Sequence, residues 1–117
     1  AHTIGVAATL RRLVSVFEPN ERSERAAALM EPLRMVVTQA LVPRANGGRI
    51  AVREWMVFDE TVREELLDLP QERWANRIQQ MLPDRGQTMQ KSAKIAFESG
   101  QIDRRWYLML ARGSMDG

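Results

Sequence analysis

The sequence has no cysteine and a single histidine, His2. The first absence excludes disulfides, thiolate metal sites and a cysteine nucleophile, and it suits a reducing compartment. The second leaves no imidazole pair for a metal centre, and no carboxylate pair stands at ligand spacing to replace it. Aromatic residues make up only 6% of the chain. No apolar run is long enough to span a bilayer, and no signal-peptide pattern opens the sequence. The Gly-x-Ser-x-Gly elbow of serine hydrolases is missing. Gly47-Gly48 is not followed by the Gly-Lys-Ser/Thr of a phosphate loop. Residue chemistry alone names no reaction.

The 117 residues fit one domain with one core. Hydrophobic residues are 44% and charged residues 27% of the chain, ordinary usage for a globular protein. The 17 basic residues stand against 15 acidic ones, a net charge of +2. Arginines alternate with acids, as in Glu21 to Arg25 and Arg63 to Asp68, so no run of one sign reads as a nucleic-acid tail. Arg11, Arg12, Arg22, Arg25 and Arg34 keep a helical nucleic-acid binder open as a minor reading. The chain opens on alanine rather than methionine, so it is expected to be a piece of something longer.

Hydrophobic periodicity predicts a helix over Thr3 to Phe17, with Ala7, Leu10, Leu13, Val14 and Phe17 inward. Asn20 is expected to cap a long helix with Glu21 in its first turn. Its stripe runs through Ala26, Leu29, Met30, Leu33, Val36, Val37 and Ala40. Pro32 is expected to kink that helix or split it in two. Leu41 to Arg44, a Gly-rich loop and Arg49 to Phe58 read as a β-hairpin. The apolar residues on both faces of its second strand suggest cover on both sides. Four short helices follow: one capped by Asp59 or Thr61, then Gln71 to Leu82, Thr88 to Ser99 and Ile102 to Leu110. "PDRG" at Pro83 to Gly86 is expected to be a turn, and the tail "RGSMDG" frayed. Trp55, Trp74 and Trp106 read as core or interface anchors. Glu54 and Asp59 are single carboxylates, of the kind found exposed or salt-bridged. The fold class is mainly α with one β-hairpin, an α+β fragment. A two-stranded hairpin is marginal in water, so it needs helices or a sheet coded elsewhere.

Taken in order, "HT" at His2-Thr3, "RRLVSVF", "TQALVPR", "GGRIAVREWMV", "TVREELLD" and "GQTMQKSAKIAFESGQID" resemble the C-terminal part of the PilT-like secretion ATPases. These are the motors of type II and type IV secretion systems, including the DotB/TraJ branch. The most specific stretch is Gln39, Leu41, Gly47, Gly48, Arg49, Ala51 and Glu54.

The resemblance implies the C-terminal part of a RecA-like α/β ATPase. Residues 1–58 would end the ATPase core as helix, long helix and hairpin, and 59–117 would form a C-terminal helical bundle. His2 falls at the family's His box, near the nucleotide γ-phosphate. Arg12, Gln39, Gly47, Gly48, Arg49, Glu54 and Arg63 match positions of nucleotide-coupling or structural motifs. Arg63 stands at the arginine of the retraction motif, but the surrounding residues differ, which favours the secretion or conjugation branch. ATP and Mg²⁺ would be cofactors of the parent protein. This stretch alone carries neither the phosphate-loop lysine nor the Walker B carboxylate and would bind none. The implied partners are five further copies in a homohexamer and inner-membrane secretion or pilus platform proteins. The implied location is cytoplasmic and peripheral at the inner membrane, with no membrane insertion and no direct nucleic-acid contact. The rival reading is a non-catalytic helical interaction or oligomerisation module.

Overall fold

The computed structural model describes the backbone of residues 5–116 and the side chains of residues 5–111. The helices are α1 (Val6–Ser15), α2 (Arg22–Met30), α3 (Glu60–Leu67), α4 (Trp74–Arg85), α5 (Met89–Glu98) and α6 (Arg104–Asp116). The strands are β1 (Met35–Pro43), β2 (Arg49–Val57) and the two-residue β3 (Gly86–Gln87). They form one antiparallel sheet in the order β1-β2-β3. The expected class holds, with three strands where two were expected.

Three expectations are corrected. The long helix does not exist. The chain is helical only to Met30, and β1 begins at Met35. Pro32 has no amide to donate and its ring blocks the preceding turn. The β-branched Val36, Val37 and Thr38 then favour extended backbone. Val36 and Ala40 misled because a spacing of four fits one face of a helix and one face of a strand equally well. Second, "PDRG" is no free turn. Pro83 to Arg85 complete the last turn of α4, and Gly86 enters the sheet, so the 59–117 segment also contributes a strand. Third, α6 runs past Leu110, the expected end of the last helix, to Asp116.

Smaller shifts have simple causes. Glu21, not Asn20, precedes α2, and it makes no side-chain cap. Leu13 points outward at 46% exposure, because α1 buries Val6, Ala7, Leu10 and Val14 instead. Asp59, rather than Thr61, caps α3, its Oδ1 accepting from the Val62 amide at 2.9 Å. Its other oxygen accepts from Arg85 at the end of α4. Trp74 is a buried anchor whose Nε1 donates to the Leu66 carbonyl at 2.6 Å.

Even-numbered residues of the hairpin face the helices. Two apolar clusters lie on that inner face, one at each end. The first gathers α1, α2, α3 and α4 around Met56 and Phe58. The second gathers α5 and α6 around Val42 and Val52. Each draws residues from both sides of position 58. The molecule is elongated accordingly, 49 × 27 × 20 Å.

The hairpin is pinned at both ends. At its base the Phe58 amide donates to the Arg34 carbonyl at 2.8 Å. At its tip the Ala45 amide donates to the Gln101 carbonyl at 2.8 Å, tying the loop to the α5–α6 turn. Gly47 and Gly48, both at positive φ, let the five-residue loop close. The Glu65 carboxylate of α3 pairs with Arg77 of α4. The hydrogen bond from Arg77 holds the Glu65 carboxyl below its ordinary value of 4.5 and the Arg77 guanidinium above its own.

Two outcomes follow from these contacts. A Cβ at Gly86 would stand 1.9 Å from the Trp55 carbonyl oxygen, which is backbone and cannot rotate away. Gly86→Ala is therefore expected to part β3 from β2 and lower unfolding stability by about 2 kcal/mol or more, read by urea denaturation. An unchanged midpoint would contradict this packing. Separately, a lowered carboxyl pKa adds stability above its unfolded value and loses it as pH falls through the folded one. The urea midpoints of the parent sequence and of Glu65→Gln should differ at neutral pH and converge as pH falls below the carboxyl's ordinary value of 4.5 and through its lowered folded one. Parallel curves down to that range would remove the pair from the stability account.

Candidate functional site

The structure spreads the site residues expected from the sequence rather than gathering them into one cavity. His2 lies outside the described residues. Arg12 is exposed in the last turn of α1. Gln39 is exposed on β1, opposite Arg53, and Arg49 is exposed opposite Pro43. Gly47 and Gly48 occupy the hairpin tip. Arg63 works structurally: its Nη1 donates to the Leu33 carbonyl at 3.2 Å and to the Phe58 carbonyl. It thereby ties α3 to both strand ends at the hairpin base.

Glu54 is the exception, and the expectation that it is an exposed or salt-bridged carboxylate is corrected. It is 2% exposed and stands on the inner face of β2, between the two apolar clusters. Its Oε2 accepts from the Val6 amide at 2.6 Å, the first residue of α1. Its Oε1 accepts from the Met89 amide at 3.0 Å, the first residue of α5. Both donors are helix-start amides that have no partner within their own helix. Both helix dipoles place their positive ends on the same carboxylate. Charge-assisted bonds of this kind are short, and they compensate a charge that would be costly to bury alone.

Gly5 completes the arrangement. It precedes α1 with φ +116, and a Cβ there would meet Glu54 Oε2 at 2.9 Å. A side chain is thus excluded both by backbone conformation and by the carboxylate. At α5 the cap is Thr88, whose Oγ1 accepts from the Lys91 amide at 3.0 Å. The sequence carries the caps but not their convergence on Glu54, which joins segments far apart in the chain.

A second feature carries no local sequence signal. Arg22 of α2 reaches back to the end of α1, where its Nη2 donates to the Phe17 carbonyl at 2.9 Å and the Ser15 carbonyl at 3.3 Å. This cation answers the negative end of the α1 dipole. Beside it lies a cleft of about 280 Å³ between α1 and the start of α4, floored by Leu10, Val14 and Trp74 and edged by Arg11 and Glu72.

The described residues contain no group of three or more acidic or imidazole side chains able to hold a metal. The buried carboxylate, Glu54, already spends both oxygens on amides. No step of phosphoryl transfer is assigned to them. No helix among them is long and apolar enough to cross a membrane.

The odd-numbered face of the hairpin is open. Met35, Val37, Leu41 and Val57 are 40–57% exposed, with Trp55 half-buried among them. Cover on both sides of β2 was expected, but the described helices cover only one. The outer edge of β1 pairs with no strand among the described residues.

No protein-family profile matches the chain. Among curated proteins it is 36% identical over 62 residues to the type IV pilus retraction ATPase PilT of Pseudomonas aeruginosa, covering 53% of this chain and 18% of that protein. Among solved structures it superimposes on the ATPase DotB of Legionella pneumophila with a TM-score of 0.87 and 39% identity, over 97% of this chain and 31% of DotB. DotB of Yersinia pseudotuberculosis gives 0.84 and 28% identity, over 92% of this chain and 28% of that one. The ADP-bound pilus retraction motor PilT gives 0.75 at 19% identity, over 94% and 30%, a likeness of fold alone. The chain spans less than a third of the length of each of these proteins. Along nearly its whole length, then, this chain is similar to one stretch of the DotB-type, PilT-like ATPases, as its ordered motifs imply.

Proposed function

We propose that this chain is the C-terminal portion of a secretion-motor ATPase of the DotB type, working as a homohexamer. In this reading it couples ATP hydrolysis by the whole subunit to movement of an inner-membrane secretion machine. The observation that carries the proposal is the match to Legionella DotB, 39% identical over 97% of this chain. The phosphate cradle and the Mg²⁺ ligands come from the remainder of the subunit, which makes up over two thirds of DotB's length. The subunit is cytoplasmic and docks at the membrane through platform proteins.

The open face of the hairpin supports the same reading. Large apolar side chains in a contiguous exposed row mark a surface made to be covered. Here the cover is the upstream part of the same subunit, with its sheet continuing from the free edge of β1. Gln39 and Arg49 lie on this face and come to the junction between the two parts.

His2, at the position of the family's His box, would contribute the one imidazole of the chain to the nucleotide. A neutral or protonated imidazole donates a hydrogen bond to a phosphate oxygen.

Two measurements test the proposal in the whole subunit. His2→Ala is expected to lower ATP turnover by about 100-fold, the range for a lost transition-state donor, while the hexamer stays assembled on size-exclusion chromatography. Unchanged turnover removes His2 from the site. Leu41→Lys, on the open face, is expected to lower the melting temperature of the whole subunit by several degrees, since a charge would be buried without a partner. If that temperature does not move, the face is not covered by the subunit, and the self-contained interaction module becomes the better account.

A further inference from the structure

The cleft between α1 and the start of α4 has no part in the function proposed above. We propose that it is a docking site for an acidic, apolar segment of a partner protein. The segment inserts one aliphatic or aromatic side chain and presents an adjacent Asp or Glu carboxylate to Arg11 and Arg22.

The walls of the cleft carry this. Its floor is Leu10, Val14 and Trp74, with Ala75 half-buried beside them. Trp74 spends its one donor on the Leu66 and Leu69 carbonyls, so only its ring is left to an occupant. Such a floor asks for an apolar group. The rim is unevenly charged. Arg11 and Arg22 stand on it against the carboxylate of Glu72, which accepts from the Gln71 side-chain amide at 2.7 Å. Neither arginine has a carboxylate partner, because the ion pairs among the described residues are Arg25–Glu21, Arg77–Glu65 and Arg85–Asp59. Arg22 is half-buried and donates to neutral carbonyls, and its Nε is buried with no hydrogen-bond partner among the described residues. A half-buried guanidinium without a counter-anion suits a carboxylate, whose planar oxygens match its fork of donors.

Size decides the kind of occupant. The volume of about 280 Å³ lies below the roughly 300–1,000 Å³ of small-molecule sites. It takes one large side chain with its neighbouring carboxylate, an anchor carried by a longer chain. The motor reading leaves the cleft uncovered. α1 and α4 pack on the inner face of the hairpin, and the surface assigned above to the rest of the subunit is the outer face.

The test is fluorescence anisotropy on the intact subunit with labelled pentapeptides Gly-Asp-X-Asp-Gly, where X is Val, Leu or Phe. At least one is expected to bind saturably with a Kd on the order of 100 μM. The same peptide with Asn in place of both Asp is expected to bind about tenfold more weakly. Arg11→Glu, at an exposed position, is expected to weaken the Asp peptide about tenfold and leave the Asn peptide unchanged. Ala75→Phe, which fills the cleft, is expected to abolish binding of both. Arg22 is kept, because it closes the end of α1. Equal affinity for the Asp and Asn peptides overturns the proposal, as does an affinity that Arg11→Glu does not move. Binding that survives in a folded Ala75→Phe places the peptide elsewhere and overturns it too. If none of the three Asp peptides binds, the cleft is filled by another part of the subunit or by a second copy, and the partner segment is ruled out. Should Ala75→Phe not fold, Arg11→Glu and the Asn peptides still decide the question.

Discussion

A buried carboxylate without a counter-cation is tolerated in this fold because two helices begin at it. Among the described residues no arginine or lysine bonds to Glu54; its partners are the backbone amides of Val6 and Met89. Those amides would otherwise be orphaned at the helix ends, so each group cancels a cost of the other. The consequence for architecture is strong. α1 and α5 must both start over the middle of β2, and the two apolar clusters fall on either side of that point. Gly5 is required where α1 turns in, and Thr88 closes the first turn of α5.

The helices after residue 58 were legible because their signals are local. Asp59 and Thr88 cap α3 and α5, and the apolar residues of α4 and α5 recur at the helix period. The hairpin was legible from Gly47-Gly48 and the run that follows. The length of its first strand was not. Val36 and Ala40 serve an extended face as readily as a helical one, and Pro32, expected to kink the helix or split it in two, ends it instead. The third strand is two residues long and carries no pattern of its own. It forms because Gly86 lets the backbone lie against Trp55, a fact of distance that no local signal encodes.

The site was legible only through resemblance. Glu54 sits in the most specific motif, yet nothing in "VREWM" tells whether its carboxylate faces water or core. Strand alternation sets the answer: Val52, Glu54 and Met56 share the buried face. A charge on that face demands partners, and they come from residues 48 positions upstream and 35 downstream. The resemblance puts Arg63 in a coupling motif. In this structure it binds two carbonyls at the hairpin base, which ties α3 to both strand ends.

The hairpin is fastened at its base by Phe58 and at its tip by Ala45. A ribbon held at both ends has already surrendered most of its conformational freedom when it meets another strand. Docking along the free edge of β1 therefore costs little further ordering. The edge behaves as a stiff template rather than a flexible arm, and whatever aligns on it inherits its register from bonds made far from the contact itself.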